Sequence, residues 1–356
     1  MSDTIQEIYP SDRRGLAAVD ALLAEQGLTR DAHLDYTCAI FDDDSHAIAT
    51  GSCFGNTLRC LAISEAARGD GLFNSLISQL MDVQYRRGHM HLFVYTKLST
   101  AKFFRDLGFY PIATVADKLV FMENRRTGFS DYLTSLQRET AEHKTVGNAD
   151  TAKPVGAIVM NGNPFTLGHQ YLVETAAKEC SLVHLFIVSE DAGPIPAAVR
   201  KRLIQEGVAH LPNVICHDTA NYLISQATFP GYFLPDSDTV ATSQAILDAQ
   251  LFTQIAKTLH ITKRFVGTEP TSNVTALYNR VSGEELPKAG IECVVIPRRT
   301  ALEQPISAST VRVALRDGDW STLAQLVPQS TLNFFQSPEG EPVLASIRST
   351  ENLIHH

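Results

Sequence analysis

The chain has 356 residues, of which 44% are apolar and 19% charged. At about 150 residues per domain this length calls for two or three domains, and the apolar share excludes wholesale disorder. The 30 Lys and Arg against 39 Asp and Glu leave a formal charge of −9, shared by both halves of the chain. That balance excludes the basic face of a nucleic-acid or anionic-membrane binder.

In chain order, HLDYTCAIFDDD (33–44) and AIATGSCFG (47–55) predict two strands around an acidic turn, and LRCLAIS (58–64) a third. GLFNSLISQLMDVQYRRG (71–88) has helical spacing, MHLFVYT (90–96) is strand-like, and STAKFFRDLG (99–108) predicts a helix. Residues 125–153 are mostly polar, with helical spacing over DYLTSLQRET, and end before Pro154 and the abrupt apolar run VGAIVM. The expected division is therefore a first domain over 1–130, a linker of helix plus loop over 131–153, and a second domain over 154–340.

The second part alternates strands and helices: VGAIVMN, a helix over about 168–179, LVHLFIVS, PAAVRKRLIQEGVAHL, NVICHDT, TSQAILDAQLFTQIAKTLH, KRFVGTE, a partly helical NVTALYNRVSG, and ECVVIPR. Short apolar strands separated by helices predict a doubly wound parallel sheet, with ligands at the carboxyl ends of its strands. The six cysteines form no C-x-x-C pair and no zinc-spaced cluster, as expected of reduced thiols in a cytoplasmic protein. The N-terminus MSDTIQEIYPSDRR lacks the apolar core of a signal peptide, and no run of about 18 apolar residues predicts a membrane span.

Two segments carry chemistry. Asn161 and Asn163-Pro164-Phe165-Thr166-Leu167-Gly168-His169 fall at the end of the first strand of the second domain and the start of its helix. A helix start offers free N–H groups and partial positive charge to an anion, and Thr166 and His169, three residues apart, face the same way. Ser307, Ser309 and Thr310 in ISASTVR open a later helix with Arg312 one turn in, a second possible cradle for a polyphosphate. Read singly, each segment is also an ordinary helix cap, the first with an incidental histidine.

Together, in this order and spacing, the two segments resemble the nucleotidyltransferase superfamily, with its T/H-x-G-H and I-S-x-S/T-x-x-K/R motifs, over roughly residues 154–335. The resemblance implies that Thr166 and His169 contact the phosphates of ATP. It implies further that Arg312 and the Ser307/Ser309 region hold the β- and γ-phosphates, and that Gly267-Thr268-Glu269 lie near the adenosine. Such catalysis is electrostatic and positional and needs no protein nucleophile. Magnesium is expected with the ATP, and no carboxylate cluster marks a protein-built metal site. Arg298, after the last core strand, is a further candidate for a phosphate or carrier contact, whereas Arg200 and Arg202, on the helix after the second strand, could reach the mouth of the site but read as solvated helix residues and are left out of it.

Residues 58–113 resemble the GNAT acetyltransferase fold. Arg68, Gly69 and Gly71 match its pyrophosphate-binding R/Q-x-x-G-x-G/A loop, and Leu107-Gly108-Phe109 its later signature. Phe73 replaces the usual small residue, and Phe104 stands where many members carry a proton-donating tyrosine, so recognition is implied more than acetyl transfer.

A GNAT-like α/β domain followed by a Rossmann-like nucleotidyltransferase domain, together with NGNPFTLGHQYLVETAA, FVGTEP, VTALYN and ISASTVR, resembles the citrate lyase ligase family over nearly the whole chain. The resemblance implies an enzyme that activates acetate with ATP as acetyl-AMP. It then passes the acetyl group to the thiol of the phosphoribosyl-dephospho-CoA arm on the acyl carrier subunit of citrate lyase. Arg68, Gly69 and Gly71 are then candidates to dock that arm. The residues by themselves also admit a nucleotidyltransferase that makes a dinucleotide-type cofactor, an acetyl-CoA-dependent acetyltransferase, or a non-catalytic nucleotide sensor.

Overall fold

The computed structural model describes residues 4–31, 34–68, 71–115, 118–143, 152–189, 193–223, 237–268, 273–301 and 304–350. By contact the chain divides into two compact units, Met1–Ser130 with Pro230–Ser243, and Asp131–Phe229 with Gln244–His356.

The first unit is a mixed α/β layer. Its strands β1 (Gln6–Glu7), β2 (Tyr36–Phe41), β3 (Ala47–Phe54), β4 (Thr57–Ile63), β5 (Phe93–Thr96), β6 (Tyr110–Val115) and β7 (Leu119–Glu123) form one sheet in the order β1-β2-β3-β4-β5-β7-β6. Helices α1 (Arg13–Glu25), α2 (Leu72–Arg86) and α3 (Ala101–Asp106) connect them. All neighbouring strands run antiparallel except β4 and β5, because the α2 crossover returns the chain in the same direction. Leu72, Leu76, Ile77, Leu80 and Val83 form the buried stripe of α2. It packs so closely on β3 that a Cβ at Gly51 would stand 2.7 Å from Leu80 Cδ1. Strands β6 and β7 were not among the sequence expectations. The first begins Tyr-Pro and is mostly exposed, and the second is a five-residue run buried throughout, so neither shows the alternation of a half-buried strand.

The second unit is the expected parallel sheet. Strands β8 (Val155–Met160), β9 (Leu182–Ile187), β10 (Val214–Asp218), β11 (Lys263–Gly267) and β12 (Glu292–Ile296) lie in the order β10-β9-β8-β11-β12, every pair parallel. Most of helices α4 (Gly128–Glu142) and α7 (Ser237–Thr258) belong to this unit, with α5 (Leu167–Glu179), α6 (Ala197–Val208) and α8 (Asn273–Glu285); after β12 come α9 (Ala308–Asp317), α10 (Trp320–Leu326), α11 (Gln329–Gln336) and α12 (Glu341–Ser349). Val183, Leu185 and Ile187 of β9 point into one core with α5, α6 and the four last helices. The alternate residues His184 and Phe186 point to the opposite face, where Phe186 meets Phe252 of α7 edge-on. Burial on both faces explains why β9 reads as a continuous apolar run.

The polar stretch 131–153 begins as helix. Tyr132 Oη donates to the Asp218 carbonyl (2.9 Å), and the Glu139 carboxylate accepts from His217 Nδ1 (2.7 Å), both partners on β10. Residues 144–151 lie outside the described residues.

Phe265 of β11 is 1% exposed, and a Cβ on Gly156 of the adjacent β8 would already stand 3.0 Å from its ring. Phe265→Ala should therefore destabilise the second unit by about 3–5 kcal/mol. The measurement is urea unfolding, in which the midpoint falls while the slope is unchanged.

Candidate active site

In the strand order β10-β9-β8-β11-β12 the chain turns one way from β8 and the other way to reach β11, so the loops leaving these neighbours diverge and open a crevice at their carboxyl ends. The segment 161–166 leaves β8 into that crevice. Gly162 has φ +59° and a Cβ there would meet Ile204 Cδ1 at 2.7 Å, so this turn requires glycine. The Asn163–Pro164 peptide is cis.

Two buried guanidinium groups fix the turn. Arg200 of α6, 2% exposed, donates through Nη1 to the carbonyl and side-chain oxygens of Asn161 and to the Val188 carbonyl, and through Nε to the Ile195 carbonyl. The expectation of a solvated Arg200 is thereby corrected. Three backbone oxygens and one amide oxygen are among its partners and replace water around the charge. Arg312 of α9, 1% exposed, donates through Nη1 to the Asn163 carbonyl (2.6 Å) and through Nη2 to Ser309 Oγ (3.2 Å). Burial pushes the Arg312 pKa down to about 10, which leaves it charged at neutral pH.

At the start of α5, Thr166 is the N-cap. Its hydroxyl accepts from the His169 N–H (3.2 Å), and the Thr166 N–H donates to His169 Nδ1 (3.1 Å). That reciprocal pair is a capping box with histidine in the place of the usual Glu or Gln. A backbone N–H can only donate, so Nδ1 carries the lone pair and neutral His169 presents Nε2–H as a donor. Burial, with the Arg298 guanidinium second, pushes the His169 pKa down to about 4. The imidazole is neutral at working pH.

The remaining walls come from β11, β12 and α9. Arg298 Nε donates to the Thr268 carbonyl (2.7 Å), and its own N–H donates to Thr268 Oγ1 (3.1 Å). Asn279 Nδ2 donates to the Gly267 carbonyl (2.9 Å). Ser307 caps α9, its hydroxyl accepting from the Thr310 N–H (3.1 Å). The two motif segments touch, since a Cβ on Gly168 would lie 3.5 Å from the Ile306 carbonyl oxygen. Asn163, 5% exposed, keeps its Oδ1 buried without a hydrogen-bond partner, while a Cβ at Gly193 would collide with its Nδ2.

Asn161, Asn163, Thr166, Gly168, His169, Gly267, Thr268, Ser307, Ser309 and Arg312 thus belong to strand ends and helix starts of one unit. Glu269 lies outside the described residues. Arg68 and Gly71 belong to the first unit, and Gly69 lies outside the described residues. Arg68 is exposed, donates to Gln26 Oε1 (2.8 Å) and pairs loosely with Glu65 at 3.6 Å. Gly71, at φ +73°, precedes α2. Arg298 was a sequence candidate, and the residue left aside is Arg200. A strand-end position was the signal for Arg298, whereas Arg200 sits in a helix with the composition of a solvated surface.

Residues 155–335 match the family described as the citrate lyase ligase C-terminal domain. The chain is 38% identical to the citrate (pro-3S)-lyase ligase of Haemophilus influenzae over 336 residues, 93% of this chain and 98% of that one. To the protein of the same name from Escherichia coli it is 36% identical over 342 residues, 94% of each. An acyl-CoA N-acyltransferase structure from Pseudomonas aeruginosa aligns with 34% of this chain and 99% of its own at 15% identity and a TM-score of 0.30.

His169 at about 4 and His184 at about 3 both stay neutral in the folded protein, burial being the main cause. An unfolded histidine titrates near 6.5, so below that pH the unfolded chain binds protons that the folded chain refuses. Stability should be level above about pH 6.5 and fall as the pH drops toward about 4. Imidazole nitrogen shifts in NMR should report His169 as the Nε2–H tautomer at pH 6, and a protonated His169 at that pH would contradict the site geometry.

Proposed function

The chain belongs to the citrate lyase ligase family, and we propose that it uses ATP to join acetate to a carrier thiol, that of the phosphoribosyl-dephospho-CoA arm on the acyl carrier subunit of citrate lyase. Acetylation of that arm switches the lyase on. An acetate oxygen attacks the α-phosphorus, the bond to the β-phosphate oxygen breaks, and pyrophosphate leaves acetyl-AMP behind. The arm's thiolate then attacks the acetyl carbonyl, and AMP leaves with the electron pair of the broken C–O bond.

The observation that carries this reading is the His169 capping box, which commits Nδ1 to Thr166 and leaves a neutral Nε2–H donor at a helix start. A fixed donor of this kind stabilises negative charge growing on the phosphate oxygens with no proton transfer and no reorganisation. The N–H groups at the start of α5 and the Arg298 guanidinium beside His169 act on the same charge. Arg312 is a positioning residue in this scheme: it holds the Asn163 turn and Ser309 together so that both helix starts face one nucleotide. The unpartnered Oδ1 of Asn163 offers a buried polar contact to the nucleotide, and Gly267-Thr268 line its adenosine end. Magnesium would arrive on the ATP phosphates. Among the described residues no group of three or more His, Cys, Asp or Glu could hold a metal ion. The loop of Arg68, Gly69 and Gly71 takes the phosphates of the carrier arm.

His169→Ala should lower acetate-dependent ATP–pyrophosphate exchange by about 10²–10³-fold, with the circular dichroism spectrum unchanged. Exchange near the wild-type rate would overturn the site assignment. Arg68→Glu should leave exchange intact and raise the KM for the carrier subunit in the acetylation assay. An unchanged KM would remove Arg68 from the docking loop.

A further inference from the structure

The first unit concentrates cations on one short stretch, residues 97–106, where three basic side chains stand against one acidic one, Asp106. Lys97, Lys102 and Arg105, on the turn after β5 and on α3, are exposed, and none has an ion-pair or side-chain hydrogen-bond partner among the described residues. Several other exposed cations are paired, as Arg30 is with Asp20, Arg87 with Asp35 and Lys201 with Asp218. Lys118, also exposed, stands just before β7, whose Val120 pairs with Thr96 at the end of β5, so it borders the same edge. In a chain of net charge −9, three cations against one acidic residue over 97–106 are a local reversal of sign.

Between these cations lie two large apolar side chains open to water, Leu98 at 42% and Phe103 at 56% exposure. Phe103 is not a loose ring. It packs against Phe73 at 5.9 Å between centroids, and Phe73 meets the buried Phe104 edge-on at 5.4 Å. An aromatic held in place before contact, ringed by lysine and arginine, has the make-up of a protein-binding hot spot. The patch also follows directly from an opening in the sheet. Parallel β4 and β5 pair only at Thr57–Phe93 and Leu58–Val94, then part toward their carboxyl ends, from which the Gly71 turn into α2 and the start of α3 emerge.

Resting on the ligase reading above, we infer that the face carrying Lys97, Leu98, Lys102, Phe103 and Arg105 docks the acyl carrier subunit itself, through an acidic surface of that subunit with an apolar centre. The carrier is the occupant by charge complementarity. A phosphorylated arm brings negative charge to the carrier surface around its attachment, and the enzyme's own net charge would otherwise repel it. Docking at this face places the arm's attachment point at the mouth between β4 and β5, next to the Gly71 turn.

The test is the triple variant Lys97→Glu/Lys102→Glu/Arg105→Glu, with Arg13→Glu/Arg14→Glu as a charge-reversal control on α1. Acetate-dependent exchange should stay within about twofold of wild type in both, while the triple variant raises the KM for the carrier at least about tenfold and the control does not. The wild-type KM should rise with salt, and the variant should lose most of that dependence. Phe103→Ser alone should raise the KM at every salt concentration. Carrier binding followed by fluorescence anisotropy reads the surface even if exchange is absent, in which case the ligase reading fails and the surface is judged separately. Unchanged carrier affinity in the triple variant overturns the proposal, as does a wild-type dimer that the triple variant disperses, since the face would then join two copies of this chain.

Discussion

The turn that leaves β8 is held between two guanidinium groups out of contact with water, and the site depends on that arrangement. Arg200 grips Asn161 from the α6 side, and Arg312 grips the Asn163 carbonyl from the α9 side. A buried charge is costly unless hydrogen bonds replace its hydration, and hydrogen bonds to charged groups are worth about 1.5–3 kcal/mol each. The carbonyls are thus obligatory partners, and the turn has little freedom to move without stranding a charge. Removing either arginine strands carbonyls instead, so the two ends of the turn are fixed by the same penalty.

Fixing the turn fixes the helix start that follows it. Thr166 reaches the N-cap position of α5 with extended backbone dihedrals, and His169 closes the capping box. Histidine in this place does what glutamate would do for the helix but leaves a second ring nitrogen for another purpose. A glutamate would bring a negative charge toward phosphates, whereas burial and Arg298 keep this imidazole neutral and donating. On the proposed reading the same contact serves helix stability and anion recognition, and the cap and ligand readings of this motif are then not rivals.

The sequence made local features legible. The spacing of Thr166 to His169 and of Ser307 to Thr310 marks helix starts, and both hydroxyls do cap. Alternation of apolar runs and helices marks a parallel sheet. What stayed hidden is whatever pairs residues distant in the chain. The bond from Arg312 to Asn163 spans 149 positions and that from Arg200 to Asn161 spans 39, and no local pattern encodes either. Arg200 sits among Arg and Lys neighbours in VRKRLIQE, the composition of a wet surface, yet its side chain turns inward. Strand order belongs to the same class, because the crossovers that put β11 beside β8 depend on which faces the helices cover, a property of the packed whole.

On the proposed function, the charge pattern follows from a division of labour between the two units. In the second unit the decisive cations are buried or bound to backbone oxygens: Arg200, Arg312 and Arg298 shape a small site with fixed geometry and weak long-range fields. A nucleotide needs that precision more than it needs attraction from afar. In the first unit Lys97, Lys102 and Arg105 are exposed and unpaired, the arrangement that acts at a distance and tolerates imperfect fit. A macromolecular substrate must be captured and oriented before its arm can enter, so exposure there is useful where burial would not be. A net charge of −9 sharpens both roles, since attraction for an anionic partner is confined to the places where the cations are left uncompensated.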